Sequence, residues 1–365
     1  MNGETDHIPA PRENPHFQGH DEAERTLLEA FASGRLPHAW LISGPRGVGK
    51  ATLAFRFARY VLAQGGEAAA GGLFGDALPP PETLHLDADS AVFRRVASGG
   101  HADLLTAERR IGDNGKKRRS EIVVEDVRAI GAFLRLTPAE GGWRVVVVDS
   151  ADEMNRHSAN ALLKVLEEPS PKALLLVVSH NPGRLLATIR SRCRRLTLKS
   201  LGDDQVAELL GRYRPDLEAG DARDLARLGE GSIGRALALA NGGGLDLYRD
   251  LMALVGGLPA LDVQALHTLG DRLGRPGAED AFRTATQIVQ WWLGHLILVG
   301  ARADPPVDKE EKERMERLVA GRGLDPWLEV WEKITRLLAR AESANLSPKQ
   351  VVLNVFFALE NAARP

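Results

Sequence analysis

The chain has a single cysteine, Cys193, in 365 residues. One thiol excludes an internal disulfide framework and any cysteine-rich metal site, and it fits a reducing, cytoplasmic setting. A dominant charge is lacking too. The formal net charge is −2, so no global basic field draws the chain to nucleic acid, and any such contact has to come from a local patch. No run approaches the ~20 apolar residues needed to cross a bilayer. The polar, proline-bearing N-terminus has no apolar stretch of the kind a secretory leader carries, so no membrane association is expected. Heptads and internal repeats are missing as well. What is present is the make-up of a globular protein, 44% hydrophobic and 26% charged, in a chain too long for one core. Two or three domains are expected.

The most informative stretch is Trp40-Leu41-Ile42-Ser43-Gly44-Pro45-Arg46-Gly47-Val48-Gly49-Lys50-Ala51-Thr52. It reads as a strand, a glycine-rich turn and the start of a helix, with the spacing of a phosphate-binding loop. Gly44, Gly47 and Gly49 let backbone N–H groups face an anion where a Cβ would crowd it. The following helix brings the positive end of its dipole to the same place, and Lys50 is set to reach the outer phosphates. The pattern then calls for a hydroxyl to hold Mg²⁺, and the residue is Ala51. Thr52 comes one position late, about 100° around the helix axis. The loop is suited to holding phosphate and ill suited to hydrolysing it.

Strand and helix patterns alternate up to about residue 200, which gives an α/β class with a parallel sheet. Residues 1–19 read as a loosely held arm. Glu22–Ala32 and Ala51–Ala63 are helical, around a strand at Ala39–Ser43. Residues 64–100 read as an insertion with a short helix near Ser90–Val96. Leu104–Ala107 and Glu121–Val124 are candidate strands flanking the turn Asp113-Asn114-Gly115. That turn carries Arg109-Arg110 and Lys116-Lys117-Arg118-Arg119, either a solvated tip or a weak DNA phosphate contact.

Arg144–Val148 is a β-branched run buried on both faces of such a sheet. It ends in Asp149, at the strand end where these sheets bind ligands and where an acid can sit near Mg²⁺. Ser150 stands where a water-orienting acid is usual, and Asp152 is expected to point elsewhere. Ala173–Ser179 is another buried strand, and Ser179-His180-Asn181-Pro182 ends it with polar side chains, Ser179 and Asn181 among them. From Asp203 only helices are expected, with Gly242-Gly243-Gly244 as a linker and long amphipathic helices from Ala278 to Ala363. Trp291, Trp292, Trp327 and Trp331 read as core or interface anchors, and Cys193 as buried packing.

Four further segments carry a resemblance. They are Leu36-Pro37-His38-Ala39, Asn160-Ala161-Leu162-Leu163-Lys164-Val165-Leu166-Glu167-Glu168-Pro169, Ser191-Arg192-Cys193 and Asn345-Leu346-Ser347-Pro348-Lys349-Gln350. With the phosphate loop, they make the chain similar to bacterial clamp-loader subunits of the AAA+ superfamily over most of its length. The resemblance implies three parts: a nucleotide-binding module at 1–200, a helical lid at 201–242 and an all-α collar at 243–365.

Motor members of the family, gamma and tau, keep a complete nucleotide site. This chain resembles the stator-like branch, with Ala51, Ser150, and Gly234 at the sensor-2 arginine position of Gly231-Ser232-Ile233-Gly234-Arg235-Ala236-Leu237. ATP or ADP held by Gly44, Gly47, Gly49, Lys50, Ala51, Thr52 and Asp149 without efficient hydrolysis is implied, as are little or no ATPase and no polymerase activity. Zinc is not expected, because residues 64–100 lack the cysteines that hold it in many relatives. The implied role of Arg192 is an arginine finger given in trans to a gamma or tau neighbour. The implied partners are gamma/tau and delta subunits, with the sliding clamp and primed DNA reached through the complex. An active gamma-type ATPase and a self-standing DNA-binding module using Arg109–Arg119 remain the alternatives.

Overall fold

The computed structural model describes residues 8–64, 83–110, 119, 121–140, 142–305, 307–344 and 346–364, with the backbone alone at 342–344. Its contacts divide the chain into two units. One runs to Gln205 and includes Ser232–Gly234; the other is Val206–Gly231 with Arg235 onward.

Among its described residues the first unit is built on five strands and six helices: α1 (Asp21–Ala32), β1 (Ala39–Ser43), α2 (Lys50–Gln64), α3 (Ala91–Ala97), β2 (Leu104–Ala107), α4 (Val124–Leu134), β3 (Arg144–Val148), α5 (Arg156–Glu167), β4 (Ala173–Ser179), α6 (Ala187–Arg192) and β5 (Arg194–Thr197). The strands form one parallel sheet in the order β2-β3-β4-β1-β5. Successive strand residues point to opposite faces, and both faces are covered. Trp40, Ile42, Val145, Val147, Leu174 and Leu176 pack with α1 and α2. Leu41, Val146, Val148, Leu175 and Val177 pack with α4, α5 and α6. Burial on both sides is why β3 and β4 are continuous apolar runs instead of alternating ones.

Two expectations need correction here. Glu121–Val124 is not a strand. Ile122 makes one isolated bridge to Met154, and α4 begins at Val124 with Glu125 and Asp126 in its first turn, where acids favour a helix start. Residues 8–19 are not loosely held. Arg59, on α2 and 2% exposed, donates from Nη1 to Arg12 O and from Nη2 to Asn14 O, both at 2.9 Å. Its guanidinium carbon also lies 4.3 Å from the Phe93 ring centroid. Arg56 donates to Pro15 O at 3.1 Å and to Glu24 Oε1 at 2.8 Å. The same Glu24 oxygen accepts the Leu84 N–H at 2.9 Å. Two buried guanidinium groups thus bind the arm's carbonyls, and an acid on α1 holds the backbone at Leu84.

Helices continue through the rest of the chain: α7 (Asp203–Tyr213), α8 (Ala219–Gly229), α9 (Ile233–Asn241), α10 (Gly244–Gly256), α11 (Val263–Leu273), α12 (Glu279–Gly300), α13 (Lys309–Arg322), α14 (Asp325–Ala344) and α15 (Pro348–Ala363). Gly244 is the first residue of α10, so the glycine linker is reduced to Gly242 and Gly243. Gly243 takes the left-handed N-cap (φ 66°) that a side chain would resist. α10 buries Leu247, Leu251 and Leu254, and α11 buries Leu266, Leu269 and Leu273. In this second unit Trp292 and Trp327 meet edge to face, with centroids 6.4 Å apart, and Trp291 is buried while Trp331 is 41% exposed. No helix among the described residues is long and apolar enough to cross a membrane.

Candidate functional site

β1 carries the chain into the loop at 44–49, and α2 starts at Lys50. Gly44, Gly47 and Gly49 all have positive φ, at 143°, 77° and 102°, where an L side chain is strained. Space is the second constraint at Gly44, because a Cβ there would lie 2.3 Å from Leu198 O. Gly44→Ala is therefore expected to lose about 2–3 kcal/mol of stability, from strain and overpacking together. Urea unfolding measures this, and an unchanged midpoint would mean that Gly44 does not need this conformation.

Lys50 is 4% exposed, and its ammonium donates to Pro45 O at 2.5 Å. Burial pulls its pKa from 10.5 down to about 8, against the opposing pull of Asp149 and then Asp152; nearby Arg46 lowers it further. Between those two values the folded chain binds fewer protons than the unfolded one. Stability therefore rises as pH climbs through that window, and the burial penalty is in full force below about pH 8. Denaturant titrations across the window are expected to show the rise in wild type and to lose it in Lys50→Met. An equal rise in both proteins would remove Lys50 as its source.

Ala51 offers no oxygen to a cation, and Thr52 is partly buried one position further on. Asp149 follows β3, and its N–H donates to Ala107 O at 2.9 Å. Burial, followed by the charge of Glu108, raises its pKa. Ser150 sits in the left-handed region (φ 59°) and donates to Asp149 Oδ1 at 3.4 Å. Asp152 corrects an expectation. It does not point elsewhere: it is buried, accepts the His180 N–H at 3.0 Å and contributes to the field at Lys50. A short helical turn at Ala151–Glu153 brings it back under the strand ends, which an extended reading of that segment could not show.

Ser179 pairs in register with Ser43, one strand away from the loop. It is fully buried, and its hydroxyl has no hydrogen-bond partner among the described residues. Asn181 is exposed and its side chain caps nothing. Gly234 packs directly on the loop: its N–H donates to Gly47 O at 2.9 Å, and a Cβ on it would lie 2.9 Å from Gly47 Cα. Ser232 Oγ donates to Arg46 O at 2.8 Å. This contact between the loop and residues 232–234 was not legible in the sequence. Arg235, in the second unit, pairs with Glu230.

The cradle fits a phosphate chain, with glycine backbone and a lysine at its centre. The donor set fits a catalytic metal poorly, with alanine at the hydroxyl position and serine beside Asp149.

Arg192 closes α6 and is exposed. Ile189 and Cys193 are buried on either side of it in sequence, and Arg194 already pairs with Trp40 across the sheet. The arginine is mounted at a rigid helix-to-strand junction. Burial raises the Cys193 thiol to about 11, as expected for a packing residue. In the basic segment, Arg109 pairs with Glu153 and Arg110 with Asp126, both at 2.6 Å. The Arg119 N–H donates to Arg110 O at 2.9 Å. Lys116, Lys117 and Arg118 lie outside the described residues.

Residues 19–202 match the family model described as DNA polymerase III, delta subunit. The chain belongs to this family. It is 36% identical over 195 residues to DNA polymerase III subunit delta' of Pseudomonas aeruginosa, covering 53% of each chain. It is 31% identical over 218 residues to subunit delta' of Escherichia coli, covering 59% of this chain and 58% of that one. It is also 31% identical over 257 residues to subunit tau of Escherichia coli, covering 68% of this chain and 36% of that one. The chain spans about half the length of the delta' relatives it matches. The delta family match takes in the whole phosphate loop, Asp149 and Arg192.

Proposed function

We propose that the chain is a delta prime-type subunit of a DNA polymerase III clamp loader, holding its place in the ring and lending Arg192 to the nucleotide of a gamma or tau neighbour. One contrast carries the reading. Arg192 is exposed at the end of α6, while the chain's own loop has Ala51, Ser150 and Gly234 where a motor needs a hydroxyl, an acid and an arginine. Residues 1–200 are the nucleotide-binding module in this reading, 201–242 the lid and 243–365 the collar that joins subunits. Gly44, Gly47, Gly49, Lys50, Ala51, Thr52 and Asp149 hold ATP or ADP without efficient hydrolysis, and Ser179 and Asn181 are left as sensor remnants. Delta and gamma/tau subunits are the direct partners; the sliding clamp and primed DNA are reached through the assembled ring.

The test is reconstitution. The chain is mixed with gamma or tau and delta subunits, and ATP hydrolysis is followed on primed DNA with and without it. Turnover is expected to require the chain in the complex and to be negligible for the chain alone. Vigorous hydrolysis by the isolated chain, abolished by Lys50→Ala, would instead identify a gamma-type ATPase.

A further inference from the structure

Arg192 is held at two points. Its Nη1 donates to Thr188 O, one turn back on α6, at 3.1 Å. Its Nη2 lies 2.9 Å from Glu167 Oε1, at the end of α5. The two side chains are 37% and 49% exposed, so the pair sits at the surface and the guanidinium is not enclosed. An arginine carries five N–H donors in a rigid plane. Two contacts on two different nitrogens fix the direction of that plane and leave its other donors for a phosphate.

Glu167 has no helical reason to be where it is. An acid in the last turn of a helix meets the negative end of the dipole, so α5 is not stabilised by it. α5 itself is fixed at its start by Asn155, whose Oδ1 accepts the Ser158 N–H at 3.0 Å. It is fixed along its length by Leu162 and Leu166 in the core. Glu167 therefore projects from a rigid helix end toward the end of α6.

We infer that Glu167 is a positioning residue for Arg192. It fixes the direction of the guanidinium before the neighbour's nucleotide arrives, so less side-chain freedom is lost when the finger engages. The inference rests on the reading of Arg192 as a finger given in trans, and it adds the residue that aims it.

The experiment uses the reconstituted complex, with ATP as the probe, and four versions of this chain: wild type, Glu167→Ala, Arg192→Ala and the double variant. Glu167→Ala is expected to lower kcat about three- to fivefold with KM unchanged, the scale of a half-exposed ion pair. Glu167→Gln, which keeps an acceptor without the charge, is expected to fall between. In the Arg192→Ala background the loss of Glu167 is expected to do nothing further, which a purely structural role would not produce. Unchanged thermal unfolding of Glu167→Ala checks that the fold is intact.

Wild-type or faster turnover in Glu167→Ala, with Arg192→Ala slow, overturns the positioning role alone. A further loss in the double variant overturns it too. Turnover unaffected by Arg192→Ala overturns the finger itself and the positioning role with it.

Discussion

Arg192→Ala is expected to slow ATP hydrolysis at the adjoining subunit's site by about 10³-fold or more, the low end of what arginine fingers contribute in related phosphoryl transfers. The reason is electrostatic. Charge builds on the departing phosphoryl group, and a guanidinium placed there in advance stabilises it without reorganisation. Lysine cannot substitute, because its point charge lacks the planar pair of donors, so Arg192→Lys is expected to recover little. Single-turnover hydrolysis is the right measurement, with the complex's other nucleotide sites silenced so that only the adjoining one reports. A rate within a few-fold of wild type would mean that Arg192 serves another purpose, such as its local pairing with Glu167.

The second large effect is on stability and concerns Arg59. Alanine there removes two charged hydrogen bonds to Arg12 O and Asn14 O, and the stacking over Phe93. It also leaves both carbonyls short of a donor, for an expected loss of about 4 kcal/mol. Arg59→Met keeps the stem's packing and is expected to recover part of this. Burial, with nearby Arg56 adding to it, lowers the Arg59 pKa to about 10, so the charge is present throughout the neutral range and the effect does not depend on pH there. Urea unfolding gives the magnitude, and limited proteolysis gives the place, with new cleavage expected within residues 8–19. Unchanged stability, or cleavage elsewhere, would show that the arm is held by other contacts.

That arm marks the limit of what the sequence discloses. β3 and β4 were legible because burial on two faces demands an uninterrupted apolar run, and the phosphate loop because its glycines have a fixed spacing. Arg192 was legible only through the motif around it. The arm was not, since its partners are backbone carbonyls, which every residue has, and the donors lie about 45 residues away on a helix. Asp152 departs from the strand-to-loop path for a local reason: a single helical turn after β3 redirects it. α10 was hidden behind Gly242-Gly243-Gly244, where glycine serves as a cap instead of a break. Glu121–Val124 reads as a strand because Ile122, Val123 and Val124 suit one, but Ile122 makes only an isolated bridge to Met154 and Val124 already opens α4. Glu167 stood in plain view within a recognisable segment, but its contact with Arg192 depends on how α5 and α6 end.

The loop's own condition bears on all of this. Gly234 fills the space over Gly47 so closely that an arginine could not be restored by substitution without moving the loop backbone. Asp152 and Asp149 lie in the field of a buried lysine that has already given up much of its affinity for a proton. The loop keeps the glycine backbone and the lysine of a phosphate cradle, with alanine after Lys50 and serine after Asp149.

The most direct measurement is therefore made on the chain's own loop: DNA-stimulated ATP turnover of the complex when this chain alone carries Lys50→Ala. Turnover within about twofold of wild type is expected if, as proposed, the lysine serves a site that holds nucleotide without hydrolysing it. A collapse of turnover, with Arg192→Ala leaving it intact, would reverse the roles and make this chain a consumer of ATP, not a donor to its neighbour.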